Sequence, residues 1–334
     1  MKAENILEIK DLKVKFPVTG GLLLRNVAEV KAVDGVSLEL IRGETLGLVG
    51  ESGCGKSTIG KAVINILKFS SPDVIIEGQV WLKTEEGEID LLTLSRNEMR
   101  KHRGLIQMIF QDPYSSLNSR MSVGQIIEEP LLYHTKMNKA ERGERVAWLL
   151  EKVGLQPEQS KRYPHEFSGG QRQRIGIARA LSTNPKIIVA DEPVSALDVS
   201  IQAQVINLMQ ELQKEFDLSI IFIAHDLSVV EHISSRITVM YLGSIVELGP
   251  GDQIYHNPIH PYSKALLSAV PLPNPKLKNK ERIILTGDVP TPMNKPSGCG
   301  FRTRCPIAKP ECADFTPVLE IKAPEHSAAC PYVS

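Results

Sequence analysis

Three features that would place the chain in a membrane, on a nucleic acid or outside the cell are missing from its 334 residues. No apolar run approaches the roughly 18 residues that a membrane-spanning helix needs. The formal net charge is zero, because 39 lysines and arginines balance 39 aspartates and glutamates, so the molecule has no general attraction for nucleic acid or an anionic membrane. Residues 1–6 are too polar for a signal peptide. We therefore predict a cytoplasmic protein whose membrane role, if any, comes through partners.

Cysteine is almost absent before residue 299, where Cys54 is the single example. The other four cysteines are Cys299, Cys305, Cys312 and Cys330. In a reducing compartment such a group favours metal binding over disulfides. The C-x-x-C pair typical of zinc sites is missing. Separations of 5, 6 and 17 residues suit an iron–sulfur cluster, with zinc or free or disulfide-bonded cysteines as alternatives.

One stretch fits the phosphate-binding pattern G-x-x-x-x-G-K-[ST] completely. It consists of Gly50, Glu51, Ser52, Gly53, Cys54, Gly55, Lys56, Ser57 and Thr58. A short apolar run precedes it and helical apolar spacing follows it, which is the strand–turn–helix context that the pattern requires. Its glycines and the helix N-terminus would surround a phosphate with N–H groups. We expect Lys56 to reach the β- and γ-phosphates of a nucleotide and Ser57 to ligate Mg²⁺.

The rest of the chain predicts an α/β fold. Apolar strands alternate with helices, which indicates a mainly parallel core sheet with ligands at the carboxyl ends of the strands. Residues 113–164 have helical spacing and predict a separate helical subdomain. Asp191 and Glu192 follow a buried strand, where Asp191 would hold Mg²⁺ and Glu192 would polarise an attacking water. Adjacent acids at a strand end also occur as ordinary solvated residues.

A second anion site is predicted at Ser168, Gly169, Gly170 and Gln171, where a capping serine and two glycines open a helix. At this point the sequence closely resembles the ATP-binding subunits of ABC transporters. In that family the SGGQ signature binds the γ-phosphate of ATP that is held by the other subunit. The resemblance implies that ATP and Mg²⁺ are bound between two subunits.

The resemblance also implies roles for single residues. Gln111 matches the Q-loop, which senses Mg²⁺ and the membrane partner. Asp191 and Glu192 match the Walker B aspartate and the catalytic glutamate. Ser195 and Asp198 match the D-loop.

For two further residues, a purely structural role is an alternative to the functional one. His225 matches the switch histidine that contacts the γ-phosphate, although without the family it would be an ordinary capped strand-end histidine. Phe16, on the first strand, is our candidate for stacking on adenine, with a core or edge phenylalanine as the alternative.

Two segments narrow the resemblance to the oligopeptide and dipeptide importers, namely residues 109–118 and 260–267. Some members of that subfamily hold a four-iron four-sulfur cluster. We therefore expect an ABC-type P-loop ATPase cassette over residues 1–255, with an antiparallel β subdomain and a helical signature subdomain at about 113–180. Residues 256–334 would form a small metal-binding extension that carries the four late cysteines.

The function implied is ATP hydrolysis that powers import of di- or oligopeptides from the cytoplasmic face of the membrane. The implied partners are a second, homologous ABC ATPase subunit, two transmembrane permeases and, indirectly, an extracytoplasmic peptide-binding protein. An importer of nickel or a sugar is the first alternative, because relatives share the same ATPase. An ABC ATPase acting on nucleic acid or ribosomes is the second, but residues 59–167 lack sustained heptads and the chain has one cassette.

Overall fold

The structure is a computed structural model that describes residues 4–20, 25–269, 283–285 and 287–333. Its strands are β1 (Asn5–Gly20), β2 (Arg25–Ile41), β3 (Thr45–Val49), β4 (Ile75–Thr84), β5 (Gly87–Asp90), β6 (Ile106–Ile109), β7 (Ile187–Asp191), β8 (Ser219–Ala224), β9 (Arg236–Tyr241), β10 (Ser244–Pro250), β11 (Glu320–Ala323) and β12 (His326–Ala328). Its α-helices are α1 (Lys56–Val63), α2 (Leu67–Ser70), α3 (Arg96–His102), α4 (Val123–His134), α5 (Lys139–Lys152), α6 (Gly169–Leu181), α7 (Val199–Phe216), α8 (Leu227–Ile233), α9 (Gly251–His256) and α10 (Pro261–Ser268).

The chain forms two compact units that interleave along the sequence. The first contains residues 4–6, 40–44 and 90–223, and the second contains the other described residues. The phosphate loop, defined as residues 50–58, belongs to the second unit. The Ser168 motif and the acidic pair after β7 belong to the first.

The first unit is built on the parallel strands β6, β7 and β8. Ile187 of β7 lies opposite Ile106 of β6 on one side and Ser219 of β8 on the other. Every residue of β7 and β8 is buried, which explains why both strands are near-continuous apolar runs. The parallel arrangement that the sequence predicted is therefore confirmed for these strands.

The helices of the first unit begin at side chains that cap them. Ser122 and Asn138 form capping boxes at the starts of α4 and α5. Helix α5 buries Val146, Leu149 and Leu150 on one face, as their spacing predicted. Helix α6 packs against α4, α5 and β6, so the predicted helical region lies against the helix of the Ser168 motif.

The second unit contains two sheets. In one, β3 pairs in parallel with β9, and β9, β10, β12 and β11 continue it as antiparallel neighbours. In the other, the strand order is β2-β1-β4-β5, and β1 and β4 are antiparallel with Leu7 opposite Leu82. The predicted antiparallel subdomain corresponds to this second sheet. Strands β11 and β12 were not predicted, and they join the C-terminal residues to the sheet that leads into the phosphate loop.

A buried carboxylate on β10 anchors the C-terminal part of the chain. Glu247 is 0% exposed and accepts hydrogen bonds from the backbone N–H groups of Ile259, at 2.6 Å, and His260, at 3.0 Å. Its Oε1 also lies 2.7 Å from His326 Nε2 on β12. A buried carboxylate is stable only with such partners. Glu247 therefore holds both the start of α10 and the strand β12 in place.

No helix within the described ranges is long and apolar enough to cross a bilayer.

Candidate active site

The phosphate loop begins at the end of β3 and closes on the first turn of α1. Gly50 has a φ of 152°, and a Cβ placed there would lie 2.3 Å from the Met240 carbonyl oxygen. Gly55 has a φ of 107°, and its Cβ would lie 2.1 Å from the Ala32 carbonyl oxygen. A side chain at either position would collide with backbone, so both turns require glycine. The resulting curvature is what allows successive backbone N–H groups to surround a phosphate.

Lys56 is buried in the phosphate loop. Its ammonium donates to the carbonyl oxygens of Gly50, at 2.7 Å, and Glu51, at 3.0 Å, and it lies 3.8 Å from the Cys54 sulfur. Burial raises the pKa of the Cys54 thiol, so this side chain is a neutral, weak acceptor. A phosphate oxygen is a much stronger acceptor, and Lys56 can therefore bind one while it keeps its hold on the loop.

Two side chains from the C-terminal part of the chain contact Glu51, the second residue of the phosphate loop. The Arg304 guanidinium pairs with the Glu51 carboxylate through three N–O distances of 2.9 to 3.2 Å. The Tyr262 hydroxyl accepts a hydrogen bond of 2.9 Å from the Glu51 backbone N–H. Arg304 and Tyr262 therefore hold the phosphate loop through the side chain and the backbone of Glu51.

Tyr262 belongs to residues 260–267, the segment that narrowed the resemblance to the oligopeptide and dipeptide importers. His260 caps α10 by accepting the Tyr262 N–H at Nδ1, at 3.1 Å. Burial, together with the nearby charge of Lys264, lowers the pKa of His260 to about 4, so the ring is neutral at pH 7 and Nδ1 stays an acceptor. The Tyr262 ring packs against Tyr241 and Phe301, with centroid distances of 4.8 and 5.4 Å.

Sequence patterns missed the contacts of Tyr262 and Arg304 with Glu51 because these residues are distant in the chain. Tyr262 lies 211 residues from Glu51, and Arg304 lies 253 residues from it. The available signal was the His-Pro-Tyr segment itself, which marks a capped helix without showing what the tyrosine contacts.

The first unit brings together two predicted site residues, Gln111 and Glu192. Glu192 has a left-handed φ of 46° directly after β7, a conformation that costs energy outside glycine and is held by its surroundings. Its carboxylate accepts a hydrogen bond of 2.8 Å from Gln111 Nε2, and its N–H donates to the Ile223 carbonyl at 2.9 Å. The preceding Asp191 is buried as the last residue of β7. A buried and a partly accessible carboxylate thus stand side by side at one strand end.

The Ser168 motif opens α6 as predicted. Ser168 Oγ accepts from the Gln171 N–H at 3.4 Å, and the Ser168 N–H donates to Gln171 Oε1 at 3.0 Å, which is a capping box. A Cβ on Gly170 would lie 2.6 Å from Ile201 Cγ2 on α7, so this glycine permits close packing of the two helix starts, whereas Gly169 has more room.

The residues between β7 and α7 form a short turn. Ser195 Oγ donates to the Glu192 carbonyl at 3.1 Å, and Asp198 is the exposed residue at the N-cap of α7. Ser195 therefore lies beside the predicted catalytic glutamate. The role of both residues toward a second subunit stays a prediction.

In the second unit, the roles of His225 toward the γ-phosphate and of Phe16 toward adenine also stay predictions. His225 follows β8 and is exposed, and Asp226 after it caps α8 by accepting the Ser228 N–H at 2.9 Å. Phe16 lies half-buried on β1.

The four late cysteines line one cavity, bounded also by His260 and Phe301. The backbone N–H of Cys299 donates to the Cys312 carbonyl at 2.8 Å, which holds two of the cysteine segments together. Burial first, and then the neighbouring thiols, raise the pKa of Cys299 and Cys305. Across the described positions, however, no three His, Cys, Asp or Glu side chains form a group that could hold a metal ion. The structure therefore does not support the predicted metal-binding extension.

Two family models match the chain. The model described as ABC transporter matches residues 33–195. The model described as oligopeptide/dipeptide transporter, C-terminal region, matches residues 246–312.

Similar proteins extend over nearly the whole chain. The oligopeptide transport ATP-binding protein OppF of Escherichia coli (strain K12) is 58% identical over 97% of this chain and 95% of its own. The oligopeptide transport ATP-binding protein AppF of Bacillus subtilis (strain 168) is 55% identical over 98% and 97%. A solved ATP-binding cassette, a dimer in a post-hydrolysis state bound to ADP and Pi, superposes with a TM-score of 0.61 at 27% identity over 73% of this chain and 98% of that one.

Proposed function

Because the chain belongs to the ABC transporter family, we propose that it is the ATP-hydrolysing subunit that powers import of di- and oligopeptides. The observation that carries this proposal is the oligopeptide/dipeptide transporter region at residues 246–312, which follows the ABC transporter region in one chain. Two oligopeptide transport ATP-binding proteins are similar to it over almost its full length. Permease subunits in the membrane are the partners that such an ATPase requires.

We assign phosphate binding to the phosphate loop and to Lys56. Ser57, Gln111 and Asp191 are oxygen-bearing side chains of the kind that Mg²⁺ prefers, and we propose that they hold this ion, Asp191 through water. When bound, Mg²⁺ neutralises charge that develops on the phosphates. His225 would contact the γ-phosphate, and Phe16 would stack on adenine.

We assign water activation to Glu192. A general base needs a carboxylate in a fixed orientation within reach of the water that it deprotonates. The hydrogen bond from Gln111 and the left-handed backbone at Glu192 provide that fixed orientation. Gln111 thus acts as a positioning residue for the general base as well as a proposed metal ligand.

We propose that two ATPase subunits act together. This chain contributes Ser168, Gly169, Gly170 and Gln171 to the ATP of the other subunit, and the other contributes its corresponding motif to the ATP of this chain. Ser195 and Asp198 would line the same interface. The capped N-terminus of α6 supports this role, since it combines N–H groups with the helix dipole. The second subunit is proposed to be homologous rather than identical, at the cytoplasmic face of the membrane, with a peptide-binding protein on the other side. We propose that the cassette comprises residues 1–255 and the extension residues 256–334.

We propose further that the four late cysteines bind a four-iron four-sulfur cluster. The support for this proposal is that all four cysteines line one cavity, although 5, 6 and 17 residues separate them in the sequence. Zn–S bonds of about 2.3 Å would bring four thiolates within about 4 Å of one another. Cysteine sulfurs on a four-iron cluster bind four different metal atoms and therefore stand farther apart than sulfurs around one zinc ion. A bound cluster would supply folding free energy to a largely polar segment.

Uptake by whole cells tests the proposed function. A strain without this gene should lose accumulation of a radiolabelled tripeptide, and the wild-type gene should restore it while a Glu192→Gln gene should not. Free amino acid uptake serves as the control and should be unchanged. Normal tripeptide uptake in the deletion strain, with loss of nickel or sugar uptake instead, would reject peptide import in favour of the alternative importers.

A further inference from the structure

The contacts on Glu51 point to a role for the C-terminal extension in nucleotide binding. We propose that Arg304 and Tyr262 are positioning residues that set the phosphate loop for a nucleoside triphosphate. This inference rests on the proposed phosphate-binding role of residues 50–58. It gives the extension a direct part in the ATPase.

The geometry of the Arg304 pair is suited to positioning. The Arg304 side chain is only 9% exposed, and its guanidinium binds both oxygens of the Glu51 carboxylate. Paired hydrogen bonds of this kind fix orientation as well as distance, which a single contact between flexible side chains does not. The Tyr241 hydroxyl, 3.5 Å from Arg304 Nη1, adds a further restraint.

Tyr262 restrains the backbone of the same residue. Its hydroxyl accepts the Glu51 N–H, while its ring is fully buried among aromatic neighbours and so cannot move with the loop. Residues 289–292 of the extension also line a cavity together with residues 51–54. Four consecutive residues of the loop therefore face the extension across this cavity.

Charge gives the arrangement a second consequence. Glu51 places a negative charge in a loop that must accept a triphosphate, and like charges at short range are unfavourable. The guanidinium of Arg304 neutralises that charge. Without Arg304, the carboxylate would be both mobile and uncompensated, and ATP should bind more weakly.

Equilibrium binding of radiolabelled ATP to the full-length chain tests the proposal. Arg304→Met should raise the Kd for ATP about tenfold, which corresponds to about 1.4 kcal/mol of binding free energy. Tyr262→Phe, which keeps the ring and removes the hydroxyl, should raise it severalfold. The KM for ATP should rise with the Kd, while kcat at saturating ATP stays within about threefold of the wild type, since Glu192 is untouched.

Two further variants separate positioning from a general loss of structure. Arg302→Met removes a neighbouring cation that contacts Ser297 instead of the loop, and it should leave the Kd unchanged. The double variant Glu51→Gln/Arg304→Met should bind ATP more tightly than Arg304→Met alone, because it removes the uncompensated charge. Equal binding by Arg304→Met and the wild type, equal losses for Arg302→Met and Arg304→Met, or no recovery in the double variant would each overturn the proposal. A wild-type chain that does not bind ATP would instead reject the proposed function.

Discussion

Replacing Glu192 with glutamine should reduce ATP turnover by about 10²–10⁴-fold, the usual effect of removing a general base. Glutamine keeps the size of the side chain and can still contact Gln111, so ATP binding should be retained. The measurement is steady-state phosphate release beside equilibrium ATP binding. Glu211→Gln is the matched control, since it makes the same change at an exposed position on α7 and should leave turnover unaltered.

The same variant should also accumulate as an ATP-bound dimer, because closure on ATP would not be followed by hydrolysis. Analytical ultracentrifugation with and without ATP would detect this species. Turnover by Glu192→Gln within a few-fold of the wild type would show that another group activates the water, and the assignment of Glu192 would be wrong.

Replacing Cys312 with serine should remove most of the iron from protein purified without oxygen. The wild-type chain should be brown and contain about four iron atoms, as expected for four thiolates around one cluster. Cys312 is the most buried of the four cysteines, and the variant keeps the backbone carbonyl that accepts the Cys299 N–H, so the loss of iron would come from the missing thiolate. Iron content and the visible absorption spectrum measure the effect.

Cys54→Ser is the control for the iron measurement and should keep the colour, since Cys54 lies in the phosphate loop and is not among the residues that line the cysteine cavity. At saturating ATP, hydrolysis by Cys312→Ser should survive in large part, since Glu192 is untouched. Wild-type protein with one zinc and no iron would contradict the cluster but keep a structural metal. Wild-type protein with no metal would contradict both.

Local patterns predicted those parts of the fold and site that depend on residues close together in the chain. The phosphate loop is defined by consecutive residues, and the Ser168 cap closes over three positions, so both follow from sequence and appear as expected. The apolar runs of β7 and β8 likewise determine two buried parallel strands. The end of β7 places Asp191 and Glu192, and this position follows from neighbouring residues alone.

Contacts between distant segments could not be predicted in this way. Gln111 and Glu192 are 81 residues apart, and only the pairing of β6 with β7 brings their strand ends together. Strands β11 and β12 are short and partly exposed, and β12 is placed by pairing with β10 and by the buried carboxylate of Glu247. The contact of Arg304 with Glu51 depends on that same long-range packing, and no periodicity in either segment indicates it.

The dependence of ATP hydrolysis on protein concentration tests the central claim most directly, namely that ATP is hydrolysed between two subunits. The purified chain should bind ATP as a monomer and hydrolyse it slowly, because Ser168 of one copy must reach the ATP of another. The rate should therefore rise more steeply than linearly with protein concentration, in step with the dimer fraction measured by light scattering. A strictly linear dependence, with full activity in a proven monomer, would contradict the account.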